Sequence, residues 1–527
     1  MFERIKNCRR QTTALACHRE WLGCLGGGSP SFWFQASVCL GLCVACHGGL
    51  FAQNNGSVSL IEAIRQQDVA LARSLLPDSN LNAVQSDGAT ALHWAVYHDD
   101  LEMADLLISA GADPDIQNEL GVRPLILACQ NSNSVLVKSL LDAGAEANFA
   151  VGTGETGLMG CARTGNLEAV TALVEAGADV SQSEQGERQT ALMWAVAHGH
   201  TKVARLLLEH GADVRARSRV RRQVISRRLQ SELKYGELGR SYGTDAEETL
   251  VGGFTPLLFA ARHGDIDTAR VLLEYGADVN DRSPDGASAL VIAVHSGHGS
   301  FAAFLLEQGA NPNAAGSGYT ALHAAVLTGD SVVVEELLDY GARPDPQVTL
   351  ATRVTRNGQV LMLGEHLLGA TPFALAAKFT EVAIMQALLD AGADVHLPLK
   401  TGWTPLMLAS GASWRYAVWD RRDRALAKAP GFQRQMYDEN TTYAAVQMLL
   451  DRGSDVNAVD EDLNTALHHV VNKGFDRVVE LLINHGADFS AVNRRGQTPL
   501  AIVAQGRTGN VEAASATAEL LQTLGAR

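Results

Sequence analysis

A seven-residue phrase opening on a small hydroxyl residue recurs along the chain and constrains the fold before any other property is consulted. It reads TALHWAV from Thr90, TALMWAV from Thr190, TPLLFAA from Thr255, SALVIAV from Ser288 and TALHAAV from Thr320. It continues as TPFALAA from Thr371, TPLMLAS from Thr404, TALHHVV from Thr465 and TPLAIVA from Thr498, with looser copies at Arg123 (RPLILAC) and Thr156 (TGLMGCA). Successive starts lie 33, 33, 34, 65, 33, 32, 51, 33, 61 and 33 residues apart. A period near 33 with a few long gaps marks a stacked array and argues against several independent globular domains. A second marker, as in LLEHGA from Leu207, keeps step with the first. Its glycine follows the start of the unit by 21 residues, from Gly111 to Gly486, except at Thr404, where the distance is 49.

Each unit decodes into two helices and a loop. Thr or Ser is suited to cap a short helix, and proline in the next place fits the first helical turn. Leu, Ala and other small residues at i, i+3 and i+4 give a narrow apolar face. A break such as HGH or TGN turns the chain into a second helix, which a glycine ends. Neither helix can bury its face alone, so the units must stack, and alanine at the inner positions permits close approach.

The phrases DGATALHWAV…DLEMADLLISAGADPDI and GYTALHAAVLTGD…VEELLDYGA resemble the ankyrin repeat closely. The resemblance covers roughly 58–527: about eleven units over 87–527, preceded by a degenerate capping repeat over 53–86 (SLIEAIRQQDVALARSLL). It implies an all-α solenoid of stacked helix-turn-helix units with β-hairpin-like finger loops. It also implies protein binding through the fingers and a concave face, and names no partner.

Information peculiar to this chain should lie where the period breaks. Inserts are expected near 217–250, 343–368 and 411–442. The first opens with Arg215, Arg217, Arg219, Arg221, Arg222, Arg227 and Arg228. A solvated excursion neutralised by its own Glu232, Glu237, Asp245, Glu247 and Glu248 is the first reading. An acidic protein partner bound by Arg219, Arg221 and Arg222 is the second, and nucleic acid the third. The second insert has strand-like stretches suited to a hairpin. The third combines Trp414, Tyr416, Trp419, Phe432 and Tyr437 with five arginines, a composition suited equally to an interface centre and to anchoring on the array.

The first 52 residues differ from the rest. A basic start precedes the 11-residue apolar run ASVCLGLCVAC and then LFA, so a signal peptide cleaved after Ala52 is expected, with a periplasmic or secreted product. A lipoprotein processed at Cys46 is a weaker alternative. CVACH at 43–47 has c-type haem spacing, in which Cys43 and Cys46 would carry the thioethers and His47 would be an axial ligand. It lies within the apolar run with no cytochrome-sized domain around it, so coincidence is the favoured reading. The net charge of −15 speaks against nonspecific binding of nucleic acid or anionic membrane by the whole chain.

His93, His323 and His468 stand three residues after the capping Thr, and His98, His198 and His263, His200 and His298, and His210 and His485 share further registers, so structural roles are expected and no metal site. Trp94, Trp194 and Phe259 share the fourth place after the Thr, where packing is favoured over partner contact. Cys129 and Cys161 fall on adjacent units. With stacked helices about 10 Å apart, they are expected to stay unbridged. No phosphate-loop, zinc-protease, serine-hydrolase or dinucleotide pattern occurs. The expectation is therefore a non-catalytic, monomeric scaffold that binds protein and not nucleic acid, without cofactor or membrane span. The alternatives are a haem electron carrier and an enzyme built on the inserts.

Overall fold

The computed structural model describes residues 59–227, 245–356, 359–412, 438–471, 473–504 and 511–525. The array, Ser59–Arg353 with Leu361–Arg527, forms one compact unit. A second unit, Met1–Val58 with Val354–Val360, is described only at the end of one hairpin.

Helix pairs follow one another as the period requires. The pair Leu60–Arg65 and Val69–Leu75 comes first, then Ala91–Tyr97 with Leu101–Ser109, Pro124–Gln130 with Ser134–Asp142, and Gly157–Thr164 with Leu167–Glu175. The same plan runs to Pro499–Ala504 with Val511–Thr523. First helices stack on first helices and second on second.

The local reasons for these helices are those expected. The Thr90, Thr156, Thr190, Thr371 and Thr404 side chains each accept the N–H three residues on. Arg123 offers no such acceptor, and its helix starts on Pro124 instead. Asp100, Asn133, Asn166, Asp265 and Asp330 cap second helices in the same way. The closing glycines are required by conformation and not by space: Gly111 has φ 97°, and an added Cβ there would meet nothing within 4 Å.

The core is a line of repeated contacts. The fifth residue after the cap, Ala95, Ala128, Ala195, Ala260, Ala293, Ala325, Ala376 and Ala409, is fully buried in every case. So is the leucine of the second helix, including Leu107, Leu140, Leu173, Leu207, Leu272 and Leu305. Each such leucine contributes about 1.5–3 kcal/mol by burial. Polar ties run alongside. In the loop after the second helix, Asn148 donates to the Gly177 carbonyl at 2.9 Å and accepts from the Asp179 N–H at 2.7 Å. Asn313 does the same toward Gly341 and Arg343, and Asn457 toward Gly486 and Asp488.

One expectation is overturned. Cys129 and Cys161 are joined by a disulfide, with Cα atoms 4.6 Å apart. The 10 Å spacing refers to helix axes. A Cα lies about 2.3 Å off its axis, so facing Cα atoms of neighbouring helices approach to about 5 Å. The two cysteines stand at the sixth and fifth places of their units, the register in which adjacent first helices face each other.

The first two inserts form two-stranded antiparallel sheets. In the first, β1 (Val220–Arg227) pairs with β2 (Asp245–Gly252), aligning Val220 with Gly252 and Arg227 with Asp245. In the second, β3 (Thr352–Arg356) pairs with β4 (Gln359–Leu363), the hairpin expected there. Residues 413–437, with Trp414, Tyr416, Trp419, Phe432 and Tyr437, lie outside the described residues. So do Cys43, Cys46 and His47.

Candidate interaction surface

The fourth place of each first helix differs from unit to unit, and is partly exposed at Trp194, Phe259, Ile292, His469 and Ile502. These fourth-place stations hold Trp94, Leu127, Gly160, Trp194, Phe259, Ile292, Ala324, Leu375, Leu408, His469 and Ile502 in turn. At the first station the Trp94 indole N–H donates to Gln85 Oε1 at 3.1 Å, and the residue is 8% exposed. Packing accounts for it. At the histidine station, His469 Nε2 lies 3.1 Å from Asp460, which also accepts from Trp403 Nε1 at 3.1 Å. Burial would raise the Asp460 pKa, but hydrogen bonds from His469 and the Asn464 amides outweigh it and hold the group down to about 2.

The middle stations differ. Gly160 leaves its station without a side chain, and Arg163 stands about one turn further on in the same helix. Its guanidinium sits 3.2 Å from Glu155 and 5.6 Å from the centre of the Trp194 ring. Burial pushes the Glu155 carboxyl up, opposed by the charge of Arg163. Trp194 Nε1 is buried with no hydrogen-bond partner among the described residues. The His198 ring is 5.9 Å from Trp194 and 6.2 Å from His200, and burial lowers its pKa. Among the described residues no group of three or more His, Cys, Asp or Glu is placed to hold a metal ion.

The capping histidines act as ties between units. The Thr90 backbone N–H and hydroxyl lie 3.2 and 2.8 Å from His93 Nδ1, which leaves Nε2 to donate to the Val122 carbonyl at 2.9 Å. His323 repeats this with Thr320 and Ala370, and His468 with Thr465 and Gln497. Burial depresses all three, His323 to about 4.

Among the described arginines of the first insert, three tie it to the array. Arg215 donates to the Gly276 carbonyl at 3.2 and 3.0 Å. Arg217 donates to the carbonyls of Gly253 and Arg282, both at 3.0 Å, and pairs with Asp281. Arg221 pairs with Glu187. These three therefore hold the base of the hairpin to the array. Arg219 and Arg222, like these three, are exposed. The basic strand β1 is aligned with the acidic residues of β2, Val224 opposite Glu248 and Ile225 opposite Glu247. A cavity of about 450 Å³ is lined by Arg215, Arg217, Thr255, Leu257, Asp278 and Asp281, among others. No helix among the described residues is long and apolar enough to cross a membrane.

The three-copy ankyrin repeat model matches residues 125–218, 237–315, 257–348 and 436–519, more than half of the chain, and the single-repeat model matches 87–119. The chain belongs to the ankyrin repeat family. Ankyrin repeat and KH domain-containing protein 1 of Homo sapiens is 34% identical over 131 residues, which is 24% of this chain and 4% of that protein. B-cell lymphoma 3 protein homolog of Mus musculus is 30% identical over 196 residues, 35% of this chain and 39% of that protein. A homolog of ankyrin repeat and LEM domain-containing protein 1 from Caenorhabditis elegans is 50% identical over 54 residues, 10% of this chain and 8% of that protein. The chain thus spans well under half the length of each of these relatives.

Proposed function

We propose that the chain is a non-catalytic scaffold that works outside the cytoplasm as a monomer. It would bind protein through its finger loops, the concave face of its first helices and its inserts, and not nucleic acid. One observation carries the reading: the places that hold the fold are nearly constant, while the partly exposed fourth-place stations, Trp194, Phe259, Ile292, His469 and Ile502, vary in size and polarity. The Arg163 guanidinium lies 5.6 Å from the centre of the Trp194 ring, a charged and an aromatic group side by side, a pairing favoured at interface centres. Arg219 and Arg222 extend the surface onto the first hairpin, and Trp414, Tyr416 and Trp419 are offered as contacts of the third insert. No converging set of polar groups on the inserts favours an enzyme among the described residues, so that reading stays behind the scaffold.

A photoreactive amino acid placed at position 194 should cross-link a protein partner in the native envelope, whereas one at Glu175, exposed on a second helix, should not. Cross-linking only from the second helix would overturn the choice of face. Fractionation with sequencing of the mature N-terminus tests export: a start at Gln53 is expected, and an intact Met1 in the cytosol refutes it. Mature protein that retains Cys43, Cys46 and His47 with covalent Soret absorbance would favour the haem reading instead.

A further inference from the structure

The two cysteines of the array occupy a contact that the other units, Ser410 apart, fill with Ala and Val. The fifth place is alanine in eight units, and the sixth is valine at Val96, Val196, Val294 and Val326. Cys129 at a sixth place and Cys161 at the following fifth place are therefore 32 residues apart, one less than the usual period. That offset brings the two sulfurs together across the seam between the first helices Pro124–Gln130 and Gly157–Thr164. Both residues are wholly buried. The two glycines of Gly157–Thr164 leave room at this seam: a Cβ on Gly157 would lie 3.7 Å from Cys129 Sγ, and one on Gly160 3.5 Å from its Cβ. The closed loop contains the whole second helix Ser134–Asp142 and the finger that follows.

We propose that the Cys129–Cys161 bond is made before these two repeats close on each other, and that it then locks the N-terminal part of the array against local opening. Burial gives the order. Thiol–disulfide exchange needs a thiolate with access to an attacking or leaving sulfur, and the closed seam provides none. The oxidant is a dithiol–disulfide oxidoreductase or a small disulfide such as oxidised glutathione. One cysteine thiolate attacks it, forming a mixed disulfide and releasing one thiol. The second cysteine thiolate then displaces the other. Two protein S–H bonds become one S–S bond, their protons pass to the released thiolates, and the oxidant carries away two electrons as two thiols. The lock follows from stacking. An array opens by separating neighbours, and a covalent bond across one seam prevents separation there.

The test uses the full chain. Protein quenched with acid at lysis and alkylated in denaturant without reductant should show Cys129 and Cys161 unlabelled and joined in one cross-linked peptide; alkylation of both overturns the proposal. Protein that is reduced and refolded should form the bond at least tenfold more slowly with oxidised glutathione when folded than when unfolded in urea. Equal rates would refute the order of events. Reduction should speed amide exchange in the helices Pro124–Gln130 and Gly157–Thr164 by about two to three orders of magnitude, the scale expected for releasing a loop of this length. The variant C129V/C161A restores the residues found at these places in other units and should reproduce the faster exchange without loss of folding. Unchanged exchange in both reduced protein and variant would remove the lock. The proposal is independent of the partner and of export: a bridged chain found in the cytosol sinks the export reading and leaves this one standing.

Discussion

Acidification should loosen the array at the seam held by His323, by an amount the structure sets. The ring is fully buried and its pKa falls to about 4, because the charged form would be desolvated. Protonation of Nδ1 would also turn the acceptor of the Thr320 N–H into a donor and break the cap of Ala321–Thr328. In the unfolded chain an ordinary histidine titrates near 6.5. The unfolded state therefore binds more protons between these values. The stabilising effect is complete above the unfolded value and is lost as pH falls from about 6.5 toward 4. Between pH 7.5 and 5 the loss from His323 alone is about 2 kcal/mol, since each tenfold difference in proton affinity between the two states is worth about 1.4 kcal/mol. The assay is urea unfolding of the wild type and H323Q at half-unit steps of pH. Glutamine keeps an acceptor and a donor on one side chain but does not titrate. The wild type should lose stability relative to H323Q by that amount across the window. Parallel curves would refute the link between burial, tautomer and stability.

Three further outcomes follow from particular residues. Gly111→Ala should cost about 1–2 kcal/mol in thermal unfolding, entirely from its left-handed backbone, because the added methyl meets nothing. Ala325→Asp should cost about 3 kcal/mol or more and give locally faster amide exchange, since the site is fully buried at a helix seam; a surface-like effect would contradict the stacking. Replacing 219–252 by a short connection that keeps Arg217 should change stability by less than about 1 kcal/mol in urea unfolding, because loop length has a small entropic effect. Removing Arg217 as well should cost more, as its ties to Asp281, Gly253 and Arg282 are lost.

The period of the phrase beginning at Thr90 was enough to specify helix pairs, caps, stopping glycines and the all-α stack, because each is a local consequence of residue type or of a face that must be covered. The capping role of His93, His323 and His468 was legible for the same reason: the residue three places after a cap lies within reach of it. The hairpin of the second insert was legible in its strand-like stretches. In the first insert the run of arginines drew attention away from Val220, Val224 and Ile225, and strand pairing depended on residues more than twenty places on.

Other features depended on distances across units, which a period does not contain. That Arg217 and Arg221 hold the hairpin to the array was decided by Asp281 and Glu187, residues 64 later and 34 earlier in the chain. That Arg163 lies beside the Trp194 ring and Glu155 depended on residues 31 later and 8 earlier in the chain. The sequence determined the repeat, its helices and its seams, since those follow from local chemistry recurring at a fixed interval. Tertiary structure alone decided which atoms meet across a seam: axis spacing suggested that Cys129 and Cys161 were too far apart, whereas the facing sides of the two helices bring their Cα atoms to 4.6 Å.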